Sequence, residues 1–303
     1  MIDLKNPIYS DETKAREHLE ALQWPNGPVC PFCGVGSERI AKLQGKSTRP
    51  GVHKCRDCRK PFSVTVGTVF ERSHVPLTKW LLATHLLCSS KKGISSHQLK
   101  RTLGVDFKTA WFMSHRIREA MAPGSSSEPM GGEGKIVEAD ETFWGNAEGE
   151  KKRPGYAHKM TVFTLIERGG KARSTQMKRA NAYDIKSTIY EHVDPKSTLH
   201  TDGAQYYKGA PVAKHESVDH SAKEYVRGNV HVNTTEAFFQ VFKRGMTGIY
   251  QHCSEKHLHR YLSEFDFRYN NRIALEVDDT MRAAKALQGI EGKRLTYRRI
   301  GRQ

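Results

Sequence analysis

Long apolar runs are absent from this 303-residue chain, and the longest stretch, near Trp80 to Cys88, is far short of the roughly 20 residues needed to span a bilayer. A membrane partner is therefore not expected. The opening Met1-Ile2-Asp3-Leu4-Lys5-Asn6-Pro7 lacks the basic end and apolar middle of a secretory signal, which makes a cytoplasmic location the expectation. Acidic residues are in deficit, 33 Asp and Glu against 49 Lys and Arg. Histidine is plentiful, but no H-E-x-x-H spacing occurs, so that zinc-protease signature is excluded. Internal repeats and low-complexity tracts are missing too.

The deficit of acid leaves a formal net charge of +16, and the surplus is concentrated. Residues 30–120 hold 17 Lys or Arg against 5 Asp or Glu, a local excess of +12. Such a concentration implies a polyanionic partner, nucleic acid being the commonest, with a solvated basic face as the bland alternative. Cysteine is sparse, but four of the six form two pairs, Cys30 with Cys33 and Cys55 with Cys58, separated by 21 residues. In a reducing compartment this spacing reads as four thiolates closing a tetrahedral Zn2+ site. Cys88 and Cys253 have no partner at metal spacing and read as buried thiols.

The pattern along the chain divides it. Residues 1–24 carry a short amphipathic helix, Asp11 to Gln23, and residues 25–70 read as a zinc ribbon. Its second knuckle is followed by Phe62 to Phe70, whose period-two alternation predicts a strand. Residues 76–122 turn helical. A short helix around Ser96 to Leu103, a turn at Gly104-Val105 and a longer helix capped by Asp106 predict a helix-turn-helix. Its second helix carries the candidate DNA contacts Lys108, Thr109, Ser114, His115, Arg116 and Arg118, an ordinary helical pair with a basic side being the alternative. Residues 123–134, dense in turn formers, predict a linker. Strands are expected at Lys135 to Trp144, Lys159 to Glu167, Lys171 to Arg179 and Ser197 to Asp202, with helices at Ala182 to His192, Thr234 to Gly245 and Lys256 to Tyr269. Three strands, a helix, a strand and further helices are the element order of an α/β, RNase H-like domain, a mixed sheet flanked by helices, over 135–275. Residues 276–303, with the basic run 292–299, predict an exposed tail.

Three acids stand out in that domain. Asp140 closes the strand-like run from Lys135, Asp202 closes the run from Ser197, and Glu236 lies on a helix-like stretch with Lys243 two turns later on the same face. Carboxylates held this way suit hard divalent cations such as Mg2+ or Mn2+, and two such ions serve phosphodiester cleavage. Glu138 and Glu141 flank Asp140; Glu138 shares its face and could support it, or be a solvated edge charge. Asp184 and Asp219 read as caps, the histidines as phosphate contacts or polar surface, and Phe238, Phe239 and Phe242 as core rather than a base-stacking platform.

The segments Val137-Glu138-Ala139-Asp140-Glu141-Thr142-Phe143, His200-Thr201-Asp202-Gly203, His231-Val232-Asn233-Thr234-Thr235-Glu236 with Phe242-Lys243-Arg244-Gly245, and Tyr261 to Arg272 together resemble bacterial insertion-sequence transposases of the Merlin-related group. The resemblance runs from about Trp24 to Arg272. It implies an N-terminal zinc ribbon and a DDE catalytic domain in which Asp140, Asp202 and Glu236 hold metal and Lys243, with Arg244 beside it, contacts DNA. Some members place asparagine at the third position, which makes Asn233, three residues before Glu236, an alternative ligand. The implied activity is binding to terminal inverted repeats in double-stranded DNA, strand cleavage and transfer to target DNA, by a homo-oligomer at the nucleoid. The rivals are a DNA-binding regulator with an inert catalytic domain and a nuclease of the same fold without strand transfer.

Overall fold

The computed structural model describes residues 5–124 and 128–296. The chain divides into two units, Met1–Ala122 with Glu276–Gln303, and Pro123–Leu275.

In the first unit α1 (Glu12–Gln23) starts at Asp11, whose side chain accepts from the N–H groups of Thr13 and Lys14, and it buries Ala15 and Leu19. Strands β1 (Ile40–Lys42), β2 (His53–Cys55) and β3 (Pro61–Phe62) form an antiparallel sheet with Ile40 opposite Cys55 and His53 opposite Phe62. The predicted strand from Phe62 to Phe70 is corrected: the chain turns at once, with Val66 N donating to Ser63 O and Thr68 N to Thr65 O, and Gly67 has φ +75°. Alternation in 62–70 marks residues that enter a core through turns, not a ribbon strand.

Helices α2 (Leu77–Ser89), α3 (Ser96–Leu103) and α4 (Phe107–Met121) follow. Ser95 caps α3 by accepting from Gln98 N, and Gly104 ends it in the left-handed conformation at φ 59°. The short helix, glycine turn and longer helix are therefore present as read, although Asp106 occupies the N-cap position of α4 without a capping side-chain bond.

The second unit is a five-stranded sheet. Its strands are β4 (Ile136–Trp144), β5 (Met160–Glu167), β6 (Ala172–Met177), β7 (Thr198–Thr201) and β8 (Lys214–Ser217), in the order β6-β5-β4-β7-β8. The β4, β5 and β6 pairings are antiparallel, while β7 pairs parallel with β4 and β8 parallel with β7. Helices α5 (Ala182–His192), α6 (Asn233–Gly245) and α7 (Glu255–Asn270) cover it. This mixed α/β arrangement is the expected RNase H-like fold. Alternation along β4 and β5 splits the core: Val137, Ala139, Phe163 and Leu165 pack with Ile185 and Ile189 of α5, whereas Val162 and Ile166 pack with Phe238, Phe239, Phe242, Leu262 and Phe265 of α6 and α7. The phenylalanines of α6 are core, as expected. Strand β8 escaped the sequence reading because Lys-His-Glu-Ser has no apolar pattern.

Two boundaries need correction. Met130 is buried, its N–H donates to His192 O at 2.7 Å and its carbonyl accepts from Asp194 N, so the expected linker 123–134 already belongs to the second unit by residue 130; residues 125–127 of it lie outside the described residues. The expected tail is not a tail. Helix α8 (Asp279–Gln288), capped by Asp278, buries Ala283, Ala286 and Leu287 in the first unit. Arg282 donates to Cys88 O, and Gln23 Nε2 to Leu287 O. Beyond α8, Val69 N donates to Ile290 O and Gly292 N to Gly67 O. Small apolar residues at helical spacing outweigh the basic run that dominates the sequence there. Residues 297–303 lie outside the described residues. Among the described residues no helix is long and apolar enough to cross a membrane.

Candidate active site

The parallel register of β4 and β7 brings two acids towards each other. Ile136 pairs with Thr198 and Glu138 with His200, so the segment that follows β7 and carries Asp202 leaves the sheet beside the half of β4 that carries Asp140, near enough for its charge to act on Asp140. Asp202 is the first residue after β7, and its Oδ1 accepts from Ala204 N at 3.2 Å across a tight turn. Gly203 makes the turn at φ +82°, where a Cβ would sit 3.1 Å from Val218 O. Asp140 lies inside β4, not at its end as the sequence suggested, because β4 continues to Trp144 opposite β5. It faces the α6 side of the sheet, and Glu236 sits in the first turn of α6.

The electrostatics tie these acids together. Burial, then the charges of Glu141 and Asp202 and more weakly Glu236, push the Asp140 carboxyl up to about 8, against the N–H of Glu141 that donates to it at 2.8 Å. Glu141 is pushed up to about 7 by burial and by Asp202, opposed by a 2.8 Å hydrogen bond from the Tyr207 hydroxyl. Tyr207 in turn is held well above the ordinary phenol value by burial and these carboxylates. Three oxygen atoms from Asp140, Asp202 and Glu236 do not all fall within 4.8 Å of one another; among the described residues only the cysteine cluster does so. The donor set is nevertheless all carboxylate, which suits Mg2+ or Mn2+, and a divalent cation would relieve the mutual repulsion that raises Asp140.

Glu138 was undervalued in the sequence. It is fully buried, on the same face of β4 as Asp140, and receives Arg168 Nε at 2.6 Å. A lone acid between Val137 and Ala139 in an apolar strand was the available signal; Arg168, just after β5, carried none. His200 and His231, read as phosphate contacts or surface, both lie against Arg168, through ring nitrogens at 3.3 and 2.9 Å. Asp219 caps the short turn His220–Ala222, as expected, whereas α5 is capped by Asn181, and Asp184, read as a cap, lies in the first turn and accepts from Asn181 Nδ2.

The four cysteines of the first unit come together. Cys30 Sγ lies 3.6 Å from Cys58 Sγ and Cys33 Sγ 3.7 Å from Cys55 Sγ, and all four lie within 4.8 Å. Zinc–sulfur bonds of about 2.3 Å give tetrahedron edges of about 3.8 Å, so the site has the size of a Zn2+ ion. At Cys30 burial works against ionisation, but the N–H groups of Phe32 and Cys33 together with the Cys33 and Cys58 thiols outweigh it and bring the thiol down to about 7.

The DNA-contact candidates separate. Lys108 is exposed and with Thr109 lines an open cleft beside Arg72, Ser73 and His74. Ser114, His115, Arg116 and Arg118 are buried, which corrects their reading as DNA contacts. Arg116 donates to Glu71 O and Leu295 O, and Arg118 to Ser114 Oγ. A face of α4 that holds its own unit together is not available to a groove. Lys243 and Arg244 are exposed in the last turn of α6, and Asn233 is exposed in its first.

Residues 131–270 match the family described as the ISXO2-like transposase domain, and residues 10–61 the transposase zinc-ribbon domain. An uncharacterized protein in the transposable element ISH50 of Halobacterium salinarum is 29% identical over 280 residues, covering 86% of this chain and 91% of that protein. Among solved structures, a pre-cleavage Mos1 transpososome has a TM-score of 0.27 and 12% identity over 64% of this chain and 70% of that one. A simian T-cell lymphotropic virus intasome in complex with PP2A regulatory subunit B56 gamma has a TM-score of 0.29 and 13% identity over 55% of this chain, which spans 63% of the chain it matches, less than two thirds. Scores this low carry no argument; the fold rests on the strand order and helix placement above.

Proposed function

Since the chain belongs to the insertion-sequence transposases, with an ISXO2-like domain behind a transposase zinc ribbon, we propose that it binds the terminal inverted repeats of its own element, cleaves a strand to release a 3′ hydroxyl, and joins that hydroxyl to target DNA. The observation that supports this reading is that the charges of Asp202, just after β7, and of Glu236, on the first turn of α6, both act on Asp140 of the adjacent strand β4. These three residues would hold Mg2+ or Mn2+. Such ions, when bound, activate the attacking oxygen, stabilise the leaving oxygen and neutralise phosphate charge. Strand β4 would hold Asp140, and the tight turn at Gly203 would hold Asp202, while DNA is exchanged. The charge of Glu236 reaches Asp140, and an anionic ligand holds Mg2+ better than an amide, which supports Glu236 over Asn233 as the third ligand.

Zn2+ on Cys30, Cys33, Cys55 and Cys58 would order the ribbon. Lys108 and Thr109 in the first unit, with Lys243 and Arg244 at the far end of α6, would meet DNA phosphates. The protein would act as a homo-oligomer on paired ends, in the cytoplasm at the nucleoid. Asp202→Ala is expected to bind end DNA as the parent does while losing all nicking of supercoiled donor with Mg2+; retained cutting would refute the assignment.

A further inference from the structure

We propose that Glu138 and Arg168 are positioning residues that set where α6 presents Glu236 to the two aspartates, an inference that rests on the transposase reading above.

Helix α6 lacks a cap of its own. Its N-cap residue is Val232, which has no side-chain acceptor. Glu138 supplies the cap from the sheet. Its Oε2 accepts from Thr234 N at 2.8 Å and Thr235 N at 3.2 Å, and its Oε1 accepts from Thr234 Oγ1 at 2.8 Å. A buried carboxylate at this place is favoured by the positive end of the helix dipole, and it satisfies amides that would otherwise be lost. The consequence is geometric. Glu138 is two residues from Asp140 on one strand face, and Thr234 is two residues from Glu236 on one helical turn. The contact therefore locks the strand that carries one ligand to the helix turn that carries another.

Arg168 completes the lock from a third element. Its Nε meets Glu138 Oε1 at 2.6 Å, its Nη1 donates to the backbone and side-chain oxygens of Asn229 at 2.8 Å, and its Nη2 donates to His231 O at 3.0 Å. The same Nη2 lies 3.3 Å from Nδ1 of His200, whose strand leads into Asp202. The planar guanidinium thus spans the loop that feeds α6 and the strand β7, which a lysine could not do with one ammonium. An apolar pair would fill the space but would not fix the direction of α6.

The test uses full-length, zinc-loaded protein with Glu138→Gln and Arg168→Lys, and Asp202→Asn as the control on the catalytic reading. Three readouts are taken: Mn2+ affinity by electron paramagnetic resonance, hydrogen exchange at the Thr234 and Thr235 amides, and cleavage of end DNA. Both variants are expected to bind end DNA as the parent does and to exchange the two amides faster. They should also bind Mn2+ about 10- to 100-fold more weakly, the usual cost of losing an outer partner of a ligand. Parental Mn2+ affinity and cleavage, with or without faster exchange, would mean that the pair only stabilises the fold, and the inference would fall. Should Glu138→Gln not fold, Arg168→Lys carries the same comparison, because it keeps the charge and loses only the fork. If Asp202→Asn still cleaves, the transposase reading itself fails; if it is dead while Glu138→Gln and Arg168→Lys behave as the parent, only the positioning role does.

Discussion

Asp266 on α7 holds Ser174 on the edge strand β6 by two hydrogen bonds, accepting from the backbone N–H and from the hydroxyl, each at 2.7 Å. Among the described residues no strand pairs with the outer side of β6, so the helix supplies the acceptor that a further strand would have provided. The arrangement buries the carboxyl, and burial pushes it up to about 6 despite the donors on Ser174.

The folded protein therefore holds the Asp266 proton more tightly than the unfolded chain does. Stability contributed by this group is complete below about pH 4 and is lost as pH rises from about 4 to about 6, by on the order of 3 kcal/mol for a two-unit shift. Urea unfolding of the parent and Asp266→Asn across this window should show the variant gaining on the parent as pH rises, then a constant difference above pH 7.

Asp140 at about 8 and Glu141 at about 7, both raised first by burial, leave protons at the site near neutral pH. Metal loading requires ionised ligands, so Mg2+ or Mn2+ binding should release protons at pH 7, and affinity should strengthen as pH rises through 8. Calorimetry in two buffers of different ionisation enthalpy measures the release. It should shrink by pH 9 and be largely lost in Asp140→Asn.

Lys108 and Arg116 sit on one helix but call for opposite results. Lys108 is exposed at an open cleft, so Lys108→Ala should weaken DNA binding and reduce the salt slope by about one while leaving unfolding unchanged. Arg116 is buried against Glu71 O and Leu295 O, so Arg116→Ala should cost roughly 2 kcal/mol in stability. Fluorescence anisotropy across a salt series and chemical denaturation separate the two.

Leu287 is 3% exposed on α8, within the first unit. Leu287→Ala should destabilise that unit by about 2–5 kcal/mol, with the lower end applying if neighbours collapse into the space. A thermal melt that does not move would return the C-terminal segment to the status of a tail.

Helix α3 with its glycine stop, the cysteine knuckles, four of the five strands in the second unit and the order of Asp140, Asp202 and Glu236 were legible because local pattern determines them. Period-two alternation, a glycine that must turn left-handed and paired thiols each leave a mark within a few residues. The short helix, glycine turn and longer helix were legible too, but not which side of α4 faces inward, since Arg116 and Arg118 look in sequence like any basic surface. Strand β8 was hidden because an edge strand of polar residues carries no hydrophobic signal, and α8 because charge in 292–299 masked the small residues before it.

By itself, then, the amino-acid order determined most of the element types and the pairing of the four cysteines that cluster, all of which depend on neighbours close in the chain. Tertiary structure alone decided that Asp202 comes near Asp140, through a parallel register between strands some sixty residues apart. It also decided that Glu138 is a cap and not a surface charge. The carboxylate, the guanidinium of Arg168 and the uncapped amides of α6 come from three segments, and an ion pair buried without all of its partners would be too costly to keep.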